Sequence, residues 1–412
     1  MEWRVRGVAA GTLLLVSFPD VVEAEHRVAG MSAAGRWAAV ARAAGGRDPA
    51  FLIGGVTSGW GRATLDDFER AGVSGMALQI DATAVDTFLA SQPLGPLLLA
   101  DGRYLPDAEA LGALLAEPRI AATSDGAPVI ASGTTTMSLP TLTATHSASA
   151  VAVPVTDLAC PADAVRRLVR ATAKPSDGVV SRWINRPISQ RISAPLLIHV
   201  PGVRPSHVTL MVGAVGVVMV AALLFGGWTG LIVGGVLFQV ASVLDGVDGE
   251  IARASYRASV AGATLDTRVD VGTNLGYFVG IAVSLTRLYG ARQALVGGIV
   301  VLFASVGMLL LSWLARRAGQ PGSLDVLKHY YRRRFPTGWQ RRVTETLVAM
   351  TSRDFFAFLF GVVIVAGAGW TVSWLLAGFS TIWLFLILAA IPGLLHGSVP
   401  KSAGIETLAS AE

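Results

Sequence analysis

Four aspartates interrupt the most apolar half of this chain. Asp245 and Asp248 close one long Gly-, Val- and Leu-rich run, and Asp266 and Asp270 open the next. Each run is long enough to enter a bilayer, whose hydrocarbon core of about 30 Å takes about 20 apolar residues as a helix. Spacings of three and four put each pair on one face of its helix. A carboxylate near the bilayer centre costs roughly 2.5–3.5 kcal/mol, so four uncompensated ones would cost as much as the roughly 5–15 kcal/mol that holds a whole domain together. The fold must therefore place them near the water interface, around a wet cavity, or on cations. Two divalent cations neutralise four carboxylates, and all-oxygen ligation points to magnesium, manganese or calcium.

Composition divides the chain. Of its 412 residues 52% are hydrophobic and only 15% charged, too apolar for a soluble protein of this size. The apolar weight lies after about residue 195, which predicts a soluble first part and a membrane-embedded second part. Cys160 is the single cysteine, so no internal disulfide forms, and a reducing compartment suits the soluble part. His26, His146, His199, His207, His329 and His396 show no paired spacing, which argues against zinc. Leu13 to Phe18 is too short for a signal peptide. The net charge of +5 does not imply nucleic acid, because the basic residues cluster beside apolar spans, where anionic lipid explains them.

Residues 1–172 read as an α/β domain. Short apolar runs at Thr12–Phe18, Ala50–Val56, Gly75–Ile80 and Pro96–Ala100 predict buried strands. They alternate with helical patterns at Ala33–Ala44, Leu65–Ala71 and Ala108–Ala116, as in a parallel sheet covered on both faces. The layout resembles a sugar-phosphate nucleotidyltransferase, with Asp101-Gly102 standing where that family places a metal-binding Asp. The glycine-rich, Arg-containing phosphate loop of that family is missing after the first strand, where this chain has Val16-Ser-Phe-Pro-Asp-Val-Val22. The resemblance therefore implies a degenerate, non-catalytic relative, with Asp101-Gly102 an ordinary turn.

A linker and interfacial helix over 173–204 join this domain to a six-span domain at 205–396, followed by a tail at 397–412. Pro187 fits a first helical turn, with Asn185 as cap. Ile184, Ile188 and Ile192 share one face, while Arg182, Arg186, Ser189 and Ser193 fall on another, so the helix is expected in the interface plane with its cations toward headgroups or substrate phosphates. The spans are expected at about 206–226, 229–249, 260–287, 293–315, 354–370 and 373–395. The segment from Arg316 to Arg353 is rich in arginine, and the positive-inside rule makes it cytoplasmic. That orientation places the soluble domain and all four aspartates at the cytoplasmic face of an inner or plasma membrane.

Asp245-x-x-Asp248-Gly249-x-x-Ala252-Arg253, eight residues, then Gly262-x-x-x-Asp266-x-x-x-Asp270 resembles the signature of the CDP-alcohol phosphotransferases. The resemblance implies transfer of a substituted phosphoryl group from a CDP-alcohol donor to an acceptor alcohol with release of CMP, in a homodimer bathed in membrane lipid. It also implies that Asp245, Asp248, Asp266 and Asp270 hold metal, two Mg2+ or Mn2+ ions, with Asp270 the catalytic base. Asp245, Gly249, Ala252, Arg253 and Gly262 would then line the nucleotide site. Many members begin the first span with Pro-Asn-x-x-Thr; here the segment is Pro205-Ser-His-Val-Thr209.

The linker, with Asp177-Gly178, Ser181-Arg182 and Asn185-Arg-Pro-Ile-Ser189, resembles the inositol-phosphate-using branch. Arg182, Arg186 and Arg191 are accordingly the candidates for an acceptor phosphate, since Arg grips phosphate through two parallel N–H groups. The rival reading is a divalent-cation transporter. It would need acidic groups spread across the membrane, whereas these cluster at one end beside Arg253. A catalytically dead scaffold would gain nothing from keeping four costly carboxylates.

Overall fold

The computed structural model describes residues 12–396 apart from 47, 55–58, 74–77, 82, 123–127, 136, 138–150, 175–176, 318–325, 336 and 351. The tail expected at 397–412 lies outside the described residues. By packing, the chain falls into two compact units. One comprises the segment ending at Ala171 with Ala194–Val203 and Ala254–Tyr256, the other Thr172–Ser193, Arg204–Arg253 and the residues from Arg257 onward.

The first unit is an α/β fold around a seven-stranded sheet. Its strands are β1 (Leu13–Phe18), β2 (Ala50–Ile53), β3 (Gln79–Asp81), β4 (Pro96–Asp101), β5 (Ala121–Ala122), β6 (Pro128–Thr134) and β7 (Val151–Ala152), in the order β7-β5-β6-β4-β1-β2-β3. The four expected strands run parallel, and the sheet then turns mixed because β6 pairs antiparallel with β4. Leu15, Val16, Phe51, Ile53, Leu97 and Leu98 are fully or almost fully buried, as both faces of a central parallel sheet require.

Phe18, Phe51, Trp60 and Phe68 form one aromatic cluster with ring centroids 5.2–6.3 Å apart. After β1 the chain turns at once into a short helix, Val21–Glu25, whose first turn is capped by the Asp20 carboxylate accepting from the Glu23 amide at 2.8 Å. Asp101 spends an oxygen on the Arg103 amide, 2.9 Å away, in a local turn. A methyl group at Gly102 would fall 2.5 Å from the Phe18 ring.

In the second unit a helical stretch beginning at residue 179 passes through a π-helical turn, Ser181–Asn185, into α1 (Arg186–His199), which belongs to this unit as far as Ser193. Then come α2 (Pro205–Phe225), α3 (Gly227–Ala254), α4 (Val260–Tyr289), α5 (Ala291–Arg317), α6 (Arg353–Val365) and α7 (Val372–His396). Two shorter helices, Val326–Arg334 and Gly338–Met350, lie between α5 and α6. Among the described residues five helices are long and apolar enough to cross a membrane: α2, α3, α4, α5 and the stretch ending in α7. The chain is a multi-pass membrane protein.

The sixth expected span is shorter than the sequence suggested. α6 has 13 residues, about 20 Å at 1.5 Å per residue, less than the hydrocarbon thickness. It stops where Gly367 adopts φ +82° and donates its amide to Ile364, a left-handed helix ending that glycine permits. The apolar run to residue 370 hid this stop.

The bundle core joins Leu223, Phe238, Tyr277, Ile281, Val300, Phe360 and Val372. Phe238 stacks on Tyr277 with centroids 3.9 Å apart. α2 and α4 run side by side, and α4 presents Gly276 and Gly280 to Val220 and Leu223 of α2. A methyl group at Gly280 would come within 2.7 Å of Leu223. Gly280→Val is therefore expected to cost about 1–3 kcal/mol through overpacking, read as a lower unfolding temperature in detergent; an unchanged temperature would show that α2 and α4 can separate without loss.

Candidate active site

α3 and α4 bring the two aspartate pairs together. The motif is helical through Arg253, and α4 starts with Ser259 capping the Gly262 amide at 3.0 Å. Asp245, Asp266 and Asp270 each turn a carboxylate oxygen inward, and these atoms lie within 4.8 Å of one another. Asp248 faces a different partner, accepting the Thr209 hydroxyl at 2.6 Å. That bond gives the last residue of Pro205-Ser-His-Val-Thr209 a purpose: it ties the start of α2 to the carboxylate helix.

Arg353, the first residue of α6, reaches the same centre. Its Nη1 lies 3.4 Å from Asp245 and also donates to Asp270. The guanidinium lies over the Phe238 ring, 5.7 Å from its centroid. Its Nε and Nη2 are buried without a hydrogen-bond partner, and so are Nε and Nη2 of Arg253. Buried N–H groups are rarely left unpaired, so these four nitrogens are donors still in want of an acceptor. Three carboxylates against the one positive charge of Arg353 leave an excess of negative charge, and every donor is oxygen. Such a set fits a divalent cation of the magnesium or manganese type.

Gly249 and Gly262 border this centre differently. A methyl group at Gly249 would press to 3.0 Å of the Arg253 Nη1, so the missing side chain gives the guanidinium its place. At Gly262 only its own capping serine lies near, leaving that helix backbone open to a ligand.

Of the two destinations expected for the polar face of the interfacial helix, headgroups or the site, α1 turns Arg186, Ser189 and Ser193 inward. Ser189 and Ser193 have no exposed surface, while Ile188 and Ile192 are exposed. The cause is Glu250, whose side chain is completely buried. It accepts the Ser189 and Ser193 hydroxyls at 2.6 Å each and the Arg186 Nη1 at 2.9 Å. A buried charge must be paired and hydrogen-bonded, and it recruits the polar face of α1 to do so. Arg186 also forks onto Asp177, Nε to Oδ2 at 2.8 Å and Nη2 to Oδ1 at 3.3 Å. Burial alone would push the Asp177 carboxyl up; the Arg186 fork and the Lys174 amide outweigh it and hold it below the usual carboxylate range. Arg182 and Arg191 are exposed.

Asn185 is not a cap. It ends the π-helical turn, with Nδ2 donating to Asp354 at 3.0 Å and Oδ1 accepting from Gln239 at 2.7 Å. Ser242 donates to the same Asp354 oxygen at 2.7 Å. π-turns often occur at functional sites, and this one fastens α6 to α3 one residue beyond Arg353. Sequence reasoning missed Glu250, Thr209, Arg353 and Asp354 as parts of the site. Glu250 stands inside the motif at a position with no fixed identity, and Arg353-Asp354 follow so many arginines that they read as topology signal.

Comparison with known proteins agrees with this geometry. Residues 203–395 match the family described as CDP-alcohol phosphatidyltransferase. The "Bifunctional IPC transferase and DIPP synthase" of Archaeoglobus fulgidus is 37% identical over 153 residues, which is 37% of this chain and 28% of that protein. The protein of the same name in Thermococcus kodakarensis is 34% identical over 153 residues, 37% of this chain and 32% of its own length. A third, in Aquifex aeolicus, is 37% identical over 109 residues, 26% of this chain and 24% of its own. The chain thus spans about a third or less of the relatives it matches. The transporter reading finds no support among these matches. With its two aspartate pairs on adjoining helices, the stretch from 203 to 395 is a CDP-alcohol phosphatidyltransferase domain.

Proposed function

We propose that this protein transfers a substituted phosphoryl group from a CDP-alcohol, CDP-diacylglycerol or a CDP-polyol, to an acceptor alcohol, and that the acceptor is a phosphorylated polyol such as inositol phosphate. The observation that carries the reading is the convergence of Asp245, Asp266 and Asp270 beside the Arg353 guanidinium. The acceptor assignment draws on the linker resemblance and on the relatives' shared description as IPC transferase and DIPP synthase.

Asp245, Asp248, Asp266 and Asp270 would hold two magnesium or manganese ions. Such ions neutralise the diphosphate oxygens and the departing CMP. Arg253 and Arg353 supply N–H donors to phosphate oxygens, and the open backbone at Gly262 lets the nucleotide lie close to α4. The acceptor oxygen attacks the phosphorus that carries the donor alcohol. The bond from that phosphorus to the CMP oxygen breaks, and its electron pair leaves with CMP. Asp270 takes the hydroxyl proton and passes it to water; Arg353 beside it keeps the carboxylate oriented.

The active site faces the cytoplasm of an inner or plasma membrane, and the protein works as a homodimer. Support for the orientation is that Arg353 closes the arginine-rich segment and pairs with Asp245 and Asp270, so the carboxylates sit at that end of the bundle. Residues 1–172 do not catalyse cytidylyl transfer on this reading, because a short capped helix, Val21–Glu25, follows β1 in place of a phosphate loop.

The test is CMP release by the purified protein with magnesium, CDP-diacylglycerol or CDP-inositol, and a panel of inositol phosphate, free inositol, glycerol phosphate and serine. The expected result is release with inositol phosphate well above the non-phosphorylated alcohols. No release with any pair defeats the transferase reading; equal release with free inositol defeats only the acceptor assignment. CTP with inositol phosphate should give no CDP-alcohol.

A further inference from the structure

The two edges of the Arg186 guanidinium are held in different ways. Nη1 goes to Glu250, which is anchored in α3 by two serine hydroxyls as well. The Nε/Nη2 edge is the fork that matches a carboxylate or a phosphate with two parallel bonds. It is taken by Asp177, which lies outside regular structure in a turn closed on Lys174: the Lys174 amide donates to the Asp177 carboxylate at 3.1 Å and the Asp177 amide donates to the Lys174 carbonyl at 3.0 Å. Arg186 therefore faces two carboxylates with one positive charge. It is also close to the reaction centre, with Nη1 3.5 Å from the carbonyl of Gly246, next to Asp245. Arg253, near enough to feel the charges of Arg186, Glu250 and Asp177, keeps two nitrogens unpartnered.

We propose that Asp177 is a built-in stand-in for the acceptor's phosphate, occupying the Arg186 fork until an incoming phosphate monoester displaces it. The proposal rests on the reading that the acceptor is phosphorylated, and it adds the residue that enforces the choice. A phosphate monoester carries about −1.5 to −2 charge and three acceptor oxygens near neutral pH. It can fill the Arg186 fork and still reach Arg253, whereas Asp177 brings one charge and two oxygens. An uncharged polyol offers nothing to replace the ion pair and leaves Asp177 in place. Specificity thus comes from a competitor inside the protein as much as from attraction, and the competitor weakens acceptor binding by the fraction of time it holds the fork.

The experiment measures acceptor KM in the full-length protein and in Asp177→Asn and Asp177→Ala. The alanine variant matters because an asparagine oxygen can still accept from Arg186. KM for inositol phosphate is expected to fall about tenfold in Asp177→Ala and less in Asp177→Asn, with donor KM unchanged. Inorganic phosphate should become a correspondingly stronger competitor of the acceptor. A residue that only fixes Arg186 predicts the reverse, a raised acceptor KM. A raised or unchanged KM in a wild type that prefers inositol phosphate overturns the stand-in and leaves the acceptor reading intact. A wild type that turns over free inositol equally well overturns both. If either variant fails to accumulate, phosphate competition in the other decides.

Discussion

Asp270→Asn is expected to lower CMP release by about 10²–10⁴-fold, the range for losing a positioned general base, while the protein still inserts and purifies. The asparagine keeps the shape and removes the charge that both a proton and a divalent cation require. Asp266→Asn and Asp245→Asn should fall as far, since each removes the charge of one of the three carboxylates gathered within 4.8 Å. A readout independent of turnover reports the metal directly. Magnesium should raise the unfolding temperature of the wild type, because binding to the folded state alone stabilises by about 2.7 kcal/mol at a hundred times Kd. That rise should shrink in Asp245→Asn, Asp266→Asn and Asp270→Asn alike. Asp248→Asn is expected to show a smaller loss of magnesium response, because its carboxylate is engaged by Thr209. Wild-type turnover in Asp245→Asn, Asp266→Asn and Asp270→Asn would end the proposed mechanism.

Glu250→Ala is expected to be the most destabilising single change in the interfacial region, about 3–5 kcal/mol, the cost of removing one member of a buried charge pair. It strips Arg186, Ser189 and Ser193 of their common partner. It also leaves the exposed isoleucine face of α1 with no inward counterweight. Glu250→Gln keeps an oxygen for the serines but loses the charge facing Arg186, and should fall between alanine and wild type. Thermal unfolding in detergent measures all three proteins. An alanine variant within about 1 kcal/mol of wild type would mean that Glu250 does not anchor the helix.

Much of this site was written locally. Asp245, Asp248, Asp266 and Asp270 could be paired from their spacing, because residues three and four apart share a helical face whatever surrounds them. The long apolar runs announced membrane helices by length and composition alone, and α2, α3, α4, α5 and α7 appear within a few residues of where they were expected. In the first unit, Ala108–Ala116 forms the expected helix, and the four parallel strands begin or end close to their apolar runs.

What the sequence could not decide was which face of each element meets which partner. The alternation of arginine and isoleucine on α1 fits a helix with its cations outward equally well; the buried Glu250, 57 to 64 positions away in sequence, selects the inward orientation. Arg353 lies 83 positions from Asp270, and nothing local distinguishes it from the other arginines of its segment. The short α6 depends on one left-handed glycine, a backbone state that hydropathy does not register. Local spacing fixes which groups share a helix face, because the helix repeat is universal. Only tertiary packing fixes which faces meet, because a charge removed from water must find its partner wherever the chain has placed it.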